Sequence, residues 1–129
     1  MATTGKLFAA LAGLFHVVFF TMESFLWKTP RVMKVFKQTS ESVELTSLLA
    51  FNQGFYNLFL ALGVFVGLLL MRSSERAKEG QAVLAFGLLS MLGASAILLV
   101  STGNLLGTAI QGAPPAASLV LLWLSRPTA

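Results

Sequence analysis

Cysteine and aspartate are absent from this chain of 129 residues, and histidine occurs once, at His16. Without thiols there are no disulfides, thiolate metal centres, iron–sulfur clusters or Cys nucleophiles. A solitary His also leaves no closed protein metal site. His16, with Glu23 and solvent, is the only set suited to a metal or pigment, and no cofactor is assigned. Charge is scarce as well: 9 Lys/Arg and 5 Asp/Glu make 11% of the chain, about half the share of an ordinary soluble domain. The excess of four positive charges is scattered through short connecting segments. That distribution excludes a nucleic-acid reader despite a pI near 10.0, and suits anionic lipid headgroups. No Gly-rich phosphate loop, Ser/His/Asp set, paired-carboxylate arrangement or H-E-x-x-H stretch occurs, which weakens an enzyme reading.

What the chain has instead is apolar surface: 56% of its residues and a mean hydropathy of +0.80. A bilayer core of about 30 Å needs about 20 mostly apolar residues in a helix. Four stretches qualify, near residues 7–27, 45–71, 81–102 and 104–124. The expected fold is therefore all-α, an antiparallel up-down bundle of four transmembrane helices forming one domain over residues 1–129. Between the first two spans, Lys28 to Glu44 sets Lys28, Arg31, Lys34, Lys37, Glu41 and Glu44 against Val32, Val35 and Phe36, the pattern of a short interfacial amphipathic segment. Arg72 to Gly80 reads as a compact polar loop. Ser101 to Asn104 should turn the last two spans into a tight hairpin. The apolar run after Lys6 is too long and too rich in Phe for a signal peptide, and it lacks a small-residue cleavage site. Lys6, Arg72, Arg76, Lys78 and Arg126 on the side of the termini outnumber Lys28, Arg31, Lys34 and Lys37 on the other, which favours cytoplasmic termini. The side holding the Lys28–Glu44 segment and the Gly103 turn is called the outer side below.

Polar groups within hydrocarbon are expensive and face the bundle interior, so their depth is informative. His16 and Glu23 are seven residues apart, hence within about 20° of one face and roughly 10 Å apart in height. Asn52, Gln53, Tyr56 and Asn57 form two interleaved i,i+4 pairs, which we read as one polar face of the second span. On the fourth, Thr108 and Gln111 precede Pro114 and Pro115, which have no N–H for the carbonyls of Ile110 and Gln111. Counted from the outer ends, Glu23, Asn52 and Gln111 lie at roughly 6 to 11 Å, and His16, Tyr56 and Asn57 at about 16 to 18 Å. The third span offers only Ser90 and Ser95 beside small residues and reads as a packing helix. The inner half, with Leu62 to Met71 and Ala116 to Leu124, is almost wholly apolar. These positions predict a polar pocket between the first, second and fourth spans, open to the outer side and closed below.

Each feature has an ordinary use beside its functional one. His16 can hydrogen-bond a neighbouring helix, carry protons or ligate a group. Glu23 can pair with Lys28 at the interface, or face inward and share a proton with His16 or Tyr56. The polar face of the second span can serve as interhelical glue, at about 0.6 kcal/mol per bond, or line a site. Gly63-x-x-x-Gly67 and Gly103-x-x-x-Gly107 match the small-residue packing motif, within the bundle or across a dimer.

His16 and Glu23 with the aromatic run to Trp27, then Asn52-Gln53-Gly54-Phe55-Tyr56-Asn57 and Gln111-Gly112-Ala113-Pro114, resemble the bacterial membrane family known as domain of unknown function 1304. The resemblance covers nearly the whole chain and is most specific in N-Q-G-x-Y-N. It implies a small four-helix protein of the bacterial inner membrane and no particular activity. The leading expectation is binding of a small amphipathic or lipidic ligand, with transport or sensing as its use. In it Asn52, Gln53, Asn57 and Gln111 give hydrogen bonds, Tyr56 a ring and hydroxyl, and His16 and Glu23 handle charge or protons. The alternatives are an accessory subunit of a larger membrane complex, and an enzyme using His16 and Glu23 as general acid and base on a lipidic substrate.

Overall fold

The computed structural model describes residues 2–125. Over them the chain forms five helices: α1 (Ala2–Ser24), α2 (Pro30–Val35), α3 (Ser40–Leu70), α4 (Ala77–Thr102) and α5 (Leu105–Leu124). All but α2 are long and apolar enough to cross a membrane, as a chain in hydrocarbon requires, since only helices there satisfy their own backbone polar groups. This is a multi-pass membrane protein with an all-helical bundle.

The helix ends differ from expectation where hydrogen bonding overrides hydropathy. α1 stops at Ser24 because the amides of Phe25 and Leu26 converge on the Thr21 carbonyl, at 3.1 and 3.2 Å. Trp27 therefore stands beyond the helix. Pro30 opens α2, where a missing N–H is no loss. Val32 faces the bundle and is buried, whereas Val35 is exposed. α3 begins at Ser40, well before the apolar run. Thr39 Oγ1 accepts from the Ser42 amide at 3.1 Å and Ser42 Oγ from the Thr39 amide at 2.9 Å, a reciprocal cap worth about 1 kcal/mol. Glu41 and Glu44 thus ride on a helical turn above the bilayer. α4 likewise starts at Ala77, ahead of Gln81, while α5 starts at Leu105 after an Asn104 cap that accepts from the Gly107 amide at 3.0 Å. The α4–α5 hairpin turns through Gly103 at φ +63°, a left-handed conformation that costs glycine nothing. α5 continues through Pro114 and Pro115.

α1 packs on α3 and α5, and α4 packs on α3 and α5, so the ring order is α1, α3, α4, α5, with neighbours antiparallel. A core of Ala9, Ala12, Val64, Leu84, Leu88 and Met91 fills the centre. Close contacts alternate around the ring between its two ends. α1 meets α3 in the outer half at Gly54, where an added Cβ would sit 3.0 Å from the Phe20 carbonyl oxygen. α3 meets α4 in the inner half at Gly67, where a Cβ would lie 2.7 Å from the Leu84 nitrogen. α4 meets α5 in the outer half, with Gly112 against Ser95. α5 meets α1 in the inner half, where Ser118 Oγ donates to the Gly5 carbonyl at 2.9 Å.

The two small-residue motifs do not act as expected. Gly63 has nothing within 4 Å of its missing Cβ, Gly103 makes the turn, and Gly107 lies against the capping side chain of Asn104. Only Gly67 mediates close helix contact among these four.

Candidate functional site

The outer contact between α1 and α3 builds the site. Gly54 lets the helices approach until Ser24 Oγ donates to the Phe51 carbonyl at 3.1 Å. Next to Ser24, and one turn on from Gly54, Glu23 and Asn57 meet: Asn57 Nδ2 donates to Glu23 Oε2 at 2.7 Å, and both side chains are buried. Glu23 thus faces inward. Lys28 pairs with Glu44 instead, at the exposed surface. Phe20, Phe51 and Phe55 seal this junction with ring centroids about 5.0 Å apart.

Two cavities adjoin the pair. The inner one, of about 280 Å³, is lined by Phe36, just past the end of α2, and by residues of α1, α3, α4 and α5, with Phe19, Glu23, Gln53, Asn57, Ile97 and Gln111 among its walls. The other, of about 430 Å³, is more open and is walled by Glu23, Trp27, Gln38, Asn52, Gln53 and Tyr56, with Thr46 and Leu49 above. Glu23 and Gln53 line both, so they form the partition between an outer vestibule and an interior chamber. Trp27 Nε1 donates to Thr46 Oγ1 at 3.3 Å, and its ring packs on Phe36 at 5.0 Å, fixing the vestibule's rim.

Of the residues singled out from sequence, Glu23, Asn52, Gln53, Tyr56, Asn57 and Gln111 line one chamber or the other, and His16 lines neither. The polar residues of α3 do not share one inward face: Asn57 is buried, whereas Asn52, Gln53 and Tyr56 are exposed. At 100° per residue they stand at about 0°, 100°, 40° and 140° in the order Asn52, Gln53, Tyr56, Asn57. The bundle covers only the Asn57 edge of that arc. Asn52 and Tyr56 belong to the vestibule, Asn57 to the interior, and Gln53 between them to both.

His16 is fully buried on the same stripe of α1 as Glu23. Its Nδ1 lies 2.9 Å from the Ala12 carbonyl, so Nδ1 carries the donated hydrogen and Nε2 is left as an acceptor. Nε2 has no partner, and neither has the buried hydroxyl of Thr108. An acid–base pair of His16 and Glu23 requires both side chains in one accessible cavity, and this arrangement does not provide it.

α4 is more than a packing helix: Ala94, Ile97, Leu98 and Ser101 wall the interior chamber. Sequence reasoning missed these residues because α4 stands between α3 and α5 in the ring, an order that hydropathy does not encode. It also missed Trp27, Phe36, Gln38 and Thr46. Their signal was proximity to the outer interface, where the short α2 folds back over the bundle. The inner half is not closed either. A cavity of about 680 Å³ opens there between α4 and α5, with Lys6 and Lys78 on its walls.

The family described as "Protein of unknown function (DUF1304)" matches residues 10–123, and the chain belongs to it. No curated protein and no solved structure matches the chain.

Proposed function

We propose that this protein binds a small amphipathic molecule in the outer half of the bundle. The polar head lies at Glu23, Gln53 and Asn57, and the apolar part lies between Phe19, Phe36, Ile97 and Leu98. One observation carries the reading: Glu23 and Gln53 line both the vestibule and the interior chamber, so a polar head can be passed inward without leaving hydrogen-bonding partners. Glu23 is also the sole acidic or basic residue lining either space. A head bearing an amine is the group that matches a carboxylate both in charge and in hydrogen bonding. The interior chamber lies just below the roughly 300 to 1,000 Å³ of ordinary small-molecule sites, which sets a short ligand or one whose tail remains in the vestibule. Transport and sensing are the uses consistent with a vestibule on one side. The setting of this reading is the bacterial inner membrane with cytoplasmic termini, which the distribution of Lys and Arg supports; Arg126, one of the residues in that balance, lies outside the described residues.

A second reading, an accessory subunit packed against a second copy or a larger membrane complex, draws on Tyr56. Its side chain is 61% exposed at a depth where a hydroxyl facing lipid has no partner.

Native mass spectrometry of the gently purified protein, with lipidomic and elemental analysis of what accompanies it, distinguishes the two. Wild type should carry a stoichiometric small molecule that is lost from Glu23→Gln and from Ala94→Phe, which fills the chamber without altering its polar groups. A wild type that carries none, or variants that retain it, overturns the binding reading. A large membrane protein accompanying all three, and lost on Tyr56→Leu, establishes the accessory reading.

A further inference from the structure

The opening at the inner end of the bundle differs in chemistry from the outer site. α4 and α5 are held together in their outer halves, where Gly112 abuts Ser95. Toward the inner end residues of both helices line the cavity of about 680 Å³. Its walls are apolar along α4 and α5, through Ala85, Leu119 and Leu122 among others, and its rim carries Lys6 of α1, Lys78 and Gln81 of α4, and Trp123 of α5. No acidic residue lines it. Among the described residues neither Lys6 nor Lys78 takes part in an ion pair, since the salt bridge formed there joins Lys28 and Glu44. Both lysines stand at the inner helix ends, where the headgroup layer lies, and the apolar slot runs from them toward the middle of the bundle.

We propose that this cleft is a binding site for an anionic phospholipid, with its phosphate between Lys6 and Lys78 and one acyl chain in the slot between α4 and α5. Two features select that occupant. A basic rim without a counter-charge favours a negative headgroup over a zwitterionic one. A slot continuous with the bilayer and walled by Leu and Ala favours an acyl chain, whereas a soluble phosphate would leave it unfilled. Gln81 supplies a further donor at the rim and Trp123 an interfacial ring of the kind that sits at headgroup level. The site is independent of the outer chamber, with which it shares no lining residue.

Trp123 on the cleft makes the test direct. The protein carrying Trp27→Phe, which leaves Trp123 as its only tryptophan, is reconstituted into vesicles of phosphatidylcholine containing rising fractions of either chain-brominated phosphatidylglycerol or chain-brominated phosphatidylcholine. Brominated phosphatidylglycerol should quench Trp123 half-maximally at a mole fraction at least about fivefold lower, the effect of roughly one lysine near an anionic headgroup. Lys6→Gln with Lys78→Gln should abolish the preference and the corresponding Arg pair should keep it. Ala85→Phe, which obstructs the slot and leaves both lysines in place, should abolish it too. Equal quenching by the two lipids overturns the proposal. So does a preference that survives Ala85→Phe, because basic residues at any interface would then account for it. Helical content by circular dichroism is followed for each variant, and Lys78→Gln alone, at an exposed position, gives the same reading if Lys6→Gln fails to fold.

Discussion

Gly63 and Gly67 of α3 stand one helical turn apart in a motif usually read as a single contact surface, and the structure predicts opposite responses to the same substitution. At Gly67 a methyl group would lie 2.7 Å from the backbone nitrogen of Leu84 and 2.9 Å from its Cα. Ordinary contact begins near 3.4 Å, and backbone cannot yield as a side-chain tip does, so α4 must move by several tenths of an ångström. Overpacking of this kind destabilises by about 1 to 3 kcal/mol. The gain of Ala over Gly in a helix offsets about 1 kcal/mol of that, leaving Gly67→Ala less stable by up to about 2 kcal/mol. At Gly63 nothing lies within 4 Å, so only the helix gain acts and Gly63→Ala is more stable by about 0.5 to 1 kcal/mol. Reversible unfolding in mixed micelles, with SDS as denaturant and circular dichroism as signal, measures both. The helix gain is common to both variants, so they should differ by the overpacking alone, about 1 to 3 kcal/mol, or roughly 5- to 150-fold in the unfolding equilibrium. Equal destabilisation would refute the reasoning, and a loss at Gly63 that depends on protein concentration would place Gly63 in a contact between copies.

The same assay checks further expectations. Replacing Thr39 by Ala removes the half of the α3 cap that its hydroxyl makes to the Ser42 amide, leaving the Thr39 amide on Ser42 Oγ, and should lower stability by about 0.5 to 2 kcal/mol, with faster amide exchange at Ser42, whereas Thr39→Ser restores it. A double-mutant cycle on Glu23→Ala and Asn57→Ala, each of which removes the bond, should return a coupling between about 0.6 and 1.7 kcal/mol, the range of intramembrane hydrogen bonds. A coupling near zero would mean that the 2.7 Å contact contributes nothing. His16→Leu removes an acceptor with no donor at the cost of one bond to Ala12, so stability should rise by about 0.5 to 2 kcal/mol. A fall of that size would show that Nε2 has a partner in the membrane-embedded protein.

Hydropathy made the four spans legible, because their length is set by the bilayer and not by contacts. It misplaced the start of α3, because the cap at Thr39 uses Ser42 where a Glu or Gln is the usual partner, and because Glu41 and Glu44 look like loop in a hydropathy count. A helix does not end where hydrocarbon ends, since its hydrogen bonds are its own. Depth counting found the polar slab but not its division. Asn52 and Asn57 fall in the same slab, about 7.5 Å apart in height, but stand about 140° apart around α3, so one faces the vestibule and the other the interior, and only the position of α1 decides which. His16 and Glu23 show the reverse. Their angular agreement was readable, while the roughly 10 Å between them in height puts His16 below the chamber, in the packed centre.

The placement of both openings follows from where small residues let the helices touch. Gly54 closes α1 on α3 and Gly112 closes α5 on α4 in the outer half, while Gly67 closes α3 on α4 and Gly5 admits Leu122 against α1 in the inner half. In the outer half the interior chamber lies between α3 and α4, at Asn57 and Ala94. In the inner half the lysine-rimmed cleft lies between α4 and α5. α4 walls both, through opposite ends. The ionisable residues follow the same division, with Glu23 alone at the outer opening and Lys6 with Lys78 at the inner one. On the two proposals above, a ligand at Glu23 and an anionic lipid at Lys6 and Lys78 would occupy opposite ends of one bundle without sharing a lining residue.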